Sequence, residues 1–172
     1  FNRLRVRDAF ILHAGLDPWI LTTADAFQRA ALDLGIYVSP GPASWDAIFH
    51  QVFLNAVEPK LGRECPVFVW GWPASQAALA HLDPDDLSTA LRFELFAGGY
   101  ELANAFDELR DPDEQRARFE REQAERRVLG KLVYPIDEVL LEALPKMPPT
   151  SGIALGLDRL LMLLLGAAKI DD

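Results

Sequence analysis

The sequence predicts an α+β domain in which helices precede and flank an antiparallel sheet. Apolar residues recur at three- and four-residue steps in the first 60 residues, and this spacing is typical of amphipathic helices. Between Arg92 and Leu109, two strand-like runs flank Gly98-Gly99, which is a strong hairpin signal. A further strand-like run, residues 151–155, leads into an apolar helix. Helices grouped apart from hairpin-connected strands define the α+β class.

The helical region is expected to begin at the start of the chain. Gly15 is a plausible end of the first helix, because glycine commonly terminates helices. Thr23 and Ser44 precede the next two apolar patterns, where their hydroxyl oxygens can cap free backbone N–H groups. Asp111-Pro112 marks a later helix start, since aspartate caps and proline fits the first helical position.

The composition is that of an ordinary globular protein, and it restricts the possible functions. The chain has 172 residues, of which 26 are acidic and 17 basic, so its formal net charge is −9. This charge argues against broad binding to phosphate backbones, although it does not forbid a small local nucleotide site. The longest apolar run, residues 160–168, is about half the ~20 residues that a bilayer span requires. With Cys65 as the only cysteine, we expect a cytoplasmic protein without a disulfide.

Two glutamates of the predicted hairpin are candidate metal ligands. A two-residue turn at Gly98-Gly99 places Phe96 opposite Glu101, and Glu94 opposite Ala103. Because side chains alternate between faces, Glu94 and Glu101 point the same way. Two such carboxylates repel unless water, a metal or a cationic ligand offsets the repulsion, and Mg²⁺ often binds to carboxylates together with phosphate oxygens. The alternative is an ordinary solvent-exposed sheet face.

A second candidate group follows on the same strand. Asn104, Phe106 and Glu108 share one parity, so an amide, an aromatic ring and a carboxylate could line a pocket for an ammonium group. Glu101 has the other parity in a regular strand. The alternative is an alternating strand with a polar outer face.

A third candidate is the turn from the last strand into the last helix. Small residues around Gly156 would let a ligand approach the backbone. Arg159 lies in the first helical turn, where a cation is unfavourable unless an anion such as phosphate is near. The alternative is a surface ion pair between Asp158 and Arg159. Ser75 and His81 lack the third member of a nucleophilic triad, so no credible covalent catalyst is found.

In this order and spacing, the segments resemble the C-terminal half of a class II aminoacyl-tRNA synthetase catalytic domain. Residues 152–163, with Arg159, resemble the third signature motif of that class. Residues 92–94 and 98–109 resemble its lysyl branch. The first two signature motifs are missing, so the resemblance implies an incomplete domain over residues 1–172. Its helical insertion would occupy residues 1–60 and its sheet residues 65–172.

Within the lysyl branch, the chain is more similar to the paralogue family that modifies elongation factor P. Residues 73–80 resemble a stretch of that family, whereas true lysyl-tRNA synthetases have a glutamate near Ser75. Ala103 stands where true lysyl-tRNA synthetases have glycine and the paralogue family has alanine. Residues 165–167, after the third motif, also suit the paralogue family.

The resemblance implies an ATP-dependent ligase. ATP and (R)-β-lysine, or lysine, would form an adenylate, and the amino acid would pass to a lysine of elongation factor P. The implied ATP-binding residues are Glu94, Glu101, Gly156 and Arg159, with Mg²⁺ held by the two glutamates. The implied catalytic residues are Glu101 and Arg159. The implied substrate-binding residues are Ser75, Ala103, Asn104, Phe106 and Glu108.

Two structural expectations follow from combining these interpretations. If Glu101 and Asn104 line one site, the strand needs a bulge between them, since bulges re-aim side chains near active sites. The missing motifs imply that the chain alone is inactive. The resemblance implies that the full-length protein is a homodimer, since the first motif of the class builds the dimer interface. Ala105 stands where the family usually has glycine. A true lysyl-tRNA synthetase and a non-catalytic synthetase-like binding module remain the alternatives.

Overall fold

The computed structural model describes residues 1–41 and 43–170. In these ranges the strands are β1 (Asn2–Arg5), β2 (Val67–Pro73), β3 (Leu82–Asp83), β4 (Asp86–Ala97), β5 (Tyr100–Asp107) and β6 (Ser151–Leu155). The α-helices are α1 (Val6–Ala14), α2 (Ala24–Asp33), α3 (Trp45–Val52), α4 (Pro112–Val128), α5 (Glu138–Ala143) and α6 (Leu157–Leu165). The predicted α+β class is confirmed.

The strands form one sheet in the order β1-β2-β4-β5-β6, and β3 pairs with β4. Neighbouring strands are antiparallel except β1 and β2, which are parallel. The predicted hairpin at Gly98-Gly99 joins β4 to β5, with Ala97 paired to Tyr100. Both glycines have positive φ, which residues with a Cβ adopt at a cost.

The expectation that the chain begins with a helix is wrong. Residues 2–5 form β1, and the amide of Asn2 donates to the carbonyl of Pro66 over 3.1 Å. Arg5 also stacks on Trp70, with 4.5 Å between its Cζ and the ring centroid. Four residues are too few to show a helical or strand period, so pairing with the distant strand β2 decides their conformation.

The helix boundaries predicted at Gly15, Thr23 and Ser44 are confirmed. Thr23 Oγ1 accepts the backbone N–H of Ala26 over 3.3 Å, and Ser44 Oγ accepts that of Ala47 over 3.2 Å. Gly15 ends α1 in the left-handed conformation. After α3 the chain continues through a π-helical turn, Phe53–Val57, and a 3₁₀ turn, Glu58–Lys60.

The helices of the first third of the chain pack on one face of the sheet, the inner face, which includes Trp72 and Phe96. Phe49 stacks on Phe10 with ring centroids 4.6 Å apart, and Phe53 contacts Trp72 at 5.1 Å. Offset and tilted aromatic pairs of this kind contribute beyond the apolar area that they bury. The opposite, outer face includes exposed Ile153.

A glycine seats the β4–β5 hairpin against the helical region. Gly62 has φ +66°, and a Cβ at this position would lie 2.6 Å from backbone atoms of Phe96. The amide of Gly98 donates to the carbonyl of Gly62 over 2.7 Å. This close approach of two backbones fixes the hairpin in place.

Helix α4 covers the segment that follows β2. Asp111 Oδ1 accepts the backbone N–H groups of Asp113 and Glu114, as the cap prediction requires. Arg118 donates to the carbonyls of Ala78 and Ala80 over 2.9 and 2.8 Å. Among the described helices, none is long and apolar enough to cross a membrane.

Candidate active site

The candidate site lies on the inner face of the sheet, where β4 and β5 run side by side. Three cross-strand pairs bring polar and aromatic residues together: Arg92 with Phe106, Glu94 with Asn104, and Phe96 with Glu101. Directly paired residues of antiparallel strands have their side chains on the same face. Two predicted magnesium ligands and two predicted pocket residues therefore share one surface.

The predicted bulge between Glu101 and Asn104 is present. The register of β5 against β4 shifts by one residue after Glu101, and Leu102 is the extra residue. One inserted residue reverses the alternation of faces along the rest of the strand. Glu101 and Asn104 therefore lie on the same face although a regular strand would separate them.

The same shift corrects the predicted register. Glu94 pairs with Asn104 and not with Ala103. The predicted pairing differs by one residue because it assumes a regular hairpin, which has no extra residue in β5. Ala103 is buried and pairs with Leu95 and Leu155, which places it toward the outer face. The structure does not bring Ala103 beside the other predicted pocket residues, and its influence on the pocket stays a prediction.

Glu94 is a buried carboxylate with 5% of its surface exposed. Arg92 Nη2 donates to its Oε1 over 2.5 Å, and Asn104 Nδ2 donates to the same oxygen over 3.4 Å. Burial raises the pKa of Glu94 from 4.5 to about 7; the positive charge of Arg92 opposes this rise and the negative charge of Glu101 adds to it. A bound cation would stabilise the ionised form of such a group.

Arg159, in the first turn of α6, lies against Glu101. Its Nη1 donates to the backbone carbonyl of Glu101 over 2.8 Å and lies 3.7 Å from Oε2 of the same residue. Gly156 precedes α6, and its amide donates to the carbonyl of Leu102 over 2.8 Å. The structure thus brings the guanidinium and the hairpin acid together.

An open cavity of about 470 Å³ lies at this meeting point, and its lining includes Glu58, Glu101 and Arg159. Burial and the charge of Glu101 raise the pKa of Glu58, whereas Arg159 lowers it. Sequence analysis missed Glu58, because no local pattern connects it to the distant hairpin. What the sequence does show is that Glu58 is an acidic residue directly after apolar Val57, which by itself does not indicate a site.

Glu108 reaches the inner face from just beyond β5. A Cβ on Gly152 would lie 2.3 Å from Oε1 of Glu108, so the carboxylate uses space that glycine leaves open. Gly152 itself pairs with Phe106 across β5 and β6. Asn104, Phe106 and Glu108 are therefore neighbours on one surface, in the combination expected of an ammonium pocket.

Ser75 lies apart from this cluster, in the 3₁₀ turn Ala74–Gln76. It lines a second cavity of about 550 Å³ between this turn, α3 and α4, together with Asp46 and Arg118. Its neighbour Gln76 accepts a hydrogen bond from Arg92 at its carbonyl, over 2.7 Å. The turn therefore touches the site through Gln76, and a substrate-binding role for Ser75 stays a prediction.

The residues present fit a hard divalent cation that is bound together with phosphate. Mg²⁺ is usually bound by one or two carboxylates, with phosphate oxygens and water completing its shell. Glu94 and Glu101 supply two carboxylates on one face, and Arg159 supplies a positive charge beside them. Within residues 1–41 and 43–170, no three His, Cys, Asp or Glu side chains are grouped so that they could hold a metal.

Comparisons with known proteins show the family to which the chain belongs. The profile of the family described as "tRNA synthetases class II (D, K and N)" matches residues 32–172. Proteins named elongation factor P–(R)-β-lysine ligase are 43% identical over 173 residues in Yersinia enterocolitica, 44% over 174 in Edwardsiella ictaluri and 42% over 173 in Vibrio atlanticus. These alignments cover 98–99% of this chain and 52–53% of the relatives.

The chain thus spans about half the length of the curated relatives that it matches. The family profile covers most of the chain, and the relatives align with nearly all of it. The inner-face acids, the strand-to-helix arginine and the bulged strand lie within both matches. The chain belongs to the class II tRNA synthetase family (D, K and N).

Proposed function

We propose that the intact protein is an ATP-dependent ligase that activates (R)-β-lysine, or lysine, as an adenylate and transfers it to a lysine of elongation factor P. The observation that carries the proposal is the meeting of Glu101 and Arg159 beside buried Glu94, next to the cluster around Glu108. The names of the relatives supply the substrate and the acceptor.

Glu94, Glu101 and Arg159 form the phosphate side of the site. Mg²⁺, when bound by the two glutamates, would neutralise part of the triphosphate charge. Arg159 now donates to the carbonyl of Glu101 and would turn toward the terminal phosphates of ATP. A carboxylate oxygen of the amino acid attacks the α-phosphorus, the bond to the bridging oxygen breaks, and pyrophosphate leaves. Positioning and charge neutralisation supply most of the catalysis in such a displacement.

Asn104, Phe106 and Glu108 form the amino-acid side. Glu108 would accept a hydrogen bond from the side-chain ammonium group, and Phe106 would pack on the aliphatic stem. A hydrogen bond to a charged group contributes about 1.5–3 kcal/mol, which favours lysine-like substrates over uncharged ones. The acceptor lysine amine then attacks the adenylate carbonyl and AMP leaves, so no covalent enzyme nucleophile is needed.

Residues 1–172 form the C-terminal part of one catalytic domain in this proposal. The predicted insertion over residues 1–60 is narrowed to the helical part after β1, because residues 2–5 belong to the sheet. The rest of the intact protein would supply further ATP contacts and a homodimer interface. The chain alone is then expected to be inactive. Adenylate formation by the isolated chain would contradict that expectation.

The test uses the intact protein and ATP–pyrophosphate exchange. Exchange should depend on (R)-β-lysine or lysine, should be lost in Glu101→Ala, and should persist in Glu142→Ala, which removes an exposed carboxylate of α5. The activated amino acid should label elongation factor P and not tRNA. Labelling of tRNA would instead indicate a lysyl-tRNA synthetase, and ATP binding without exchange would indicate a binding module.

A further inference from the structure

Arg92 is a cation enclosed within the sheet, with only 13% of its side chain exposed. Its Cζ lies 4.4 Å from the centroid of the Trp72 ring and 5.7 Å from that of Phe106. Arginine stacks favourably on aromatic faces, especially where water is excluded. The indole N–H of Trp72 has no hydrogen-bond partner among the described residues, and the contact of Trp72 with Arg92 is through the face of its ring.

The guanidinium donates to three acceptors on three different segments. Nη2 donates to Glu94 Oε1 over 2.5 Å, Nε to Asn104 Oδ1 over 3.3 Å, and Nη1 to the carbonyl of Gln76 over 2.7 Å. Glu94 is on the phosphate side of the site and Asn104 is on the amino-acid side. Arg92 thus links the two halves, beside the weaker contact of 3.4 Å from Asn104 Nδ2 to Glu94 Oε1.

The planar shape of the guanidinium turns these contacts into a geometric constraint. Its donors lie in one plane at fixed angles, and the Trp72 and Phe106 rings restrict how that plane can tilt. Donation to Oδ1 also sets which way the Asn104 amide points, which leaves its Nδ2 toward Glu94. A lysine here would keep the charge but could not hold the same three acceptors in one plane.

We propose that Arg92 is a positioning residue, which fixes the Glu94 carboxylate and the Asn104 amide relative to each other. The proposal rests on the proposed function for what these two groups bind. Arg92 acts through its neighbours and does not itself contact substrate. The sequence predicts no role for Arg92 beyond its place in residues 92–94, which resemble the lysyl branch. Its shared parity with Glu94 on one strand could have indicated that the two side chains lie on the same face.

The first measurement compares Arg92→Lys with Arg5→Lys in the intact protein. Arg5 is the matched control, because it stacks on Trp70 on the outer face and belongs to no part of the site. Arg92→Lys should lower kcat/KM for exchange on the order of 100-fold, as expected when reacting groups are misplaced. The KM values for ATP and for the amino acid should rise together, whereas Arg5→Lys should change neither.

The second measurement needs no activity. In the ligand-free intact protein, the side-chain amide resonances of Asn104 should shift in Arg92→Lys and stay in place in Arg5→Lys. If the unmutated protein shows no exchange but these resonances shift, the proposed function fails and the positioning role stands. Unchanged Asn104 resonances in folded Arg92→Lys, or unchanged kinetics where exchange is present, would overturn the positioning role.

Discussion

Replacing Glu94 by glutamine should remove a pH-dependent penalty from the stability of the fold. Burial raises the pKa of Glu94 to about 7 from an ordinary value of 4.5. Between these two values the folded chain holds a proton that the unfolded chain releases. The free energy of unfolding therefore falls as pH rises through this window, since stability falls wherever the folded state binds more protons. Glutamine resembles the protonated form and carries no such penalty.

The size of the effect follows from the same two values. At about 1.4 kcal/mol for each pKa unit, the difference between 4.5 and about 7 corresponds to about 3 kcal/mol. The side chain of Glu94 is 7% exposed, so solvent screening reduces this figure little. The value already includes the favourable charge of Arg92 and the unfavourable charges of Glu101 and Glu58.

The assay is urea unfolding at pH 4.5 and pH 8 in EDTA, because a bound cation would favour the ionised carboxylate. The unmutated chain should lose about 3 kcal/mol more than Glu94→Gln between these two pH values. Glu142→Gln is the control, since it makes the same change in net charge at an exposed site. Equal pH dependence in the unmutated chain and Glu94→Gln would refute the reasoning.

The other predictions concern a close backbone contact, a helix cap and the ammonium pocket. Gly62→Ala should destabilise the fold by about 2–4 kcal/mol in urea unfolding, because its Cβ would meet the Phe96 backbone at 2.6 Å; a change below 1 kcal/mol would contradict this. Asp111→Ala should cost about 1 kcal/mol in the same assay, since two backbone N–H groups lose their acceptor. Gly152→Ala should weaken lysine binding to the intact protein about 10- to 100-fold in calorimetry, because its Cβ displaces the Glu108 carboxylate; unchanged affinity would separate Glu108 from the ammonium group.

Local signals predict most of the secondary structure. Thr23, Ser44 and Asp111 cap helices through contacts within a few residues of themselves, so the pattern alone reveals them. The Gly98-Gly99 turn is equally local. By contrast, β1 exists because it pairs with a strand far along the chain, and four residues contain no period that could predict it.

In the candidate site, too, some features follow from the sequence and others depend on contacts between distant parts of the chain. The bulge between Glu101 and Asn104 is predictable once the family resemblance places both residues in one site, because only an extra residue lets Asn104 share the face of Glu101. Which position of the strand holds the extra residue depends on packing. The predicted partner of Glu94, Ala103, is therefore one residue away from the observed partner, Asn104. Glu58 enters the site from a 3₁₀ turn through tertiary contact alone, which a one-dimensional pattern does not contain.

Leu102 is the extra residue of β5, and its position in the bulge sets which face of the sheet the side chains after it occupy. The side chains of Asn104 and Phe106 lie on the inner face because Leu102 occupies the bulge and not a position in the ladder. If Leu102 took a regular place in the ladder, Asn104 and Phe106 would turn to the outer face and two alanines would take their places. Deleting Leu102 would instead leave Glu101, Ala103 and Asn104 in regular alternation, with Asn104 still opposite Glu94. The orientation of the pocket residues thus depends on the number of ladder positions between them, so deletion of Leu102 should be tolerated better than deletion of Ala105, which would turn Phe106 to the outer face.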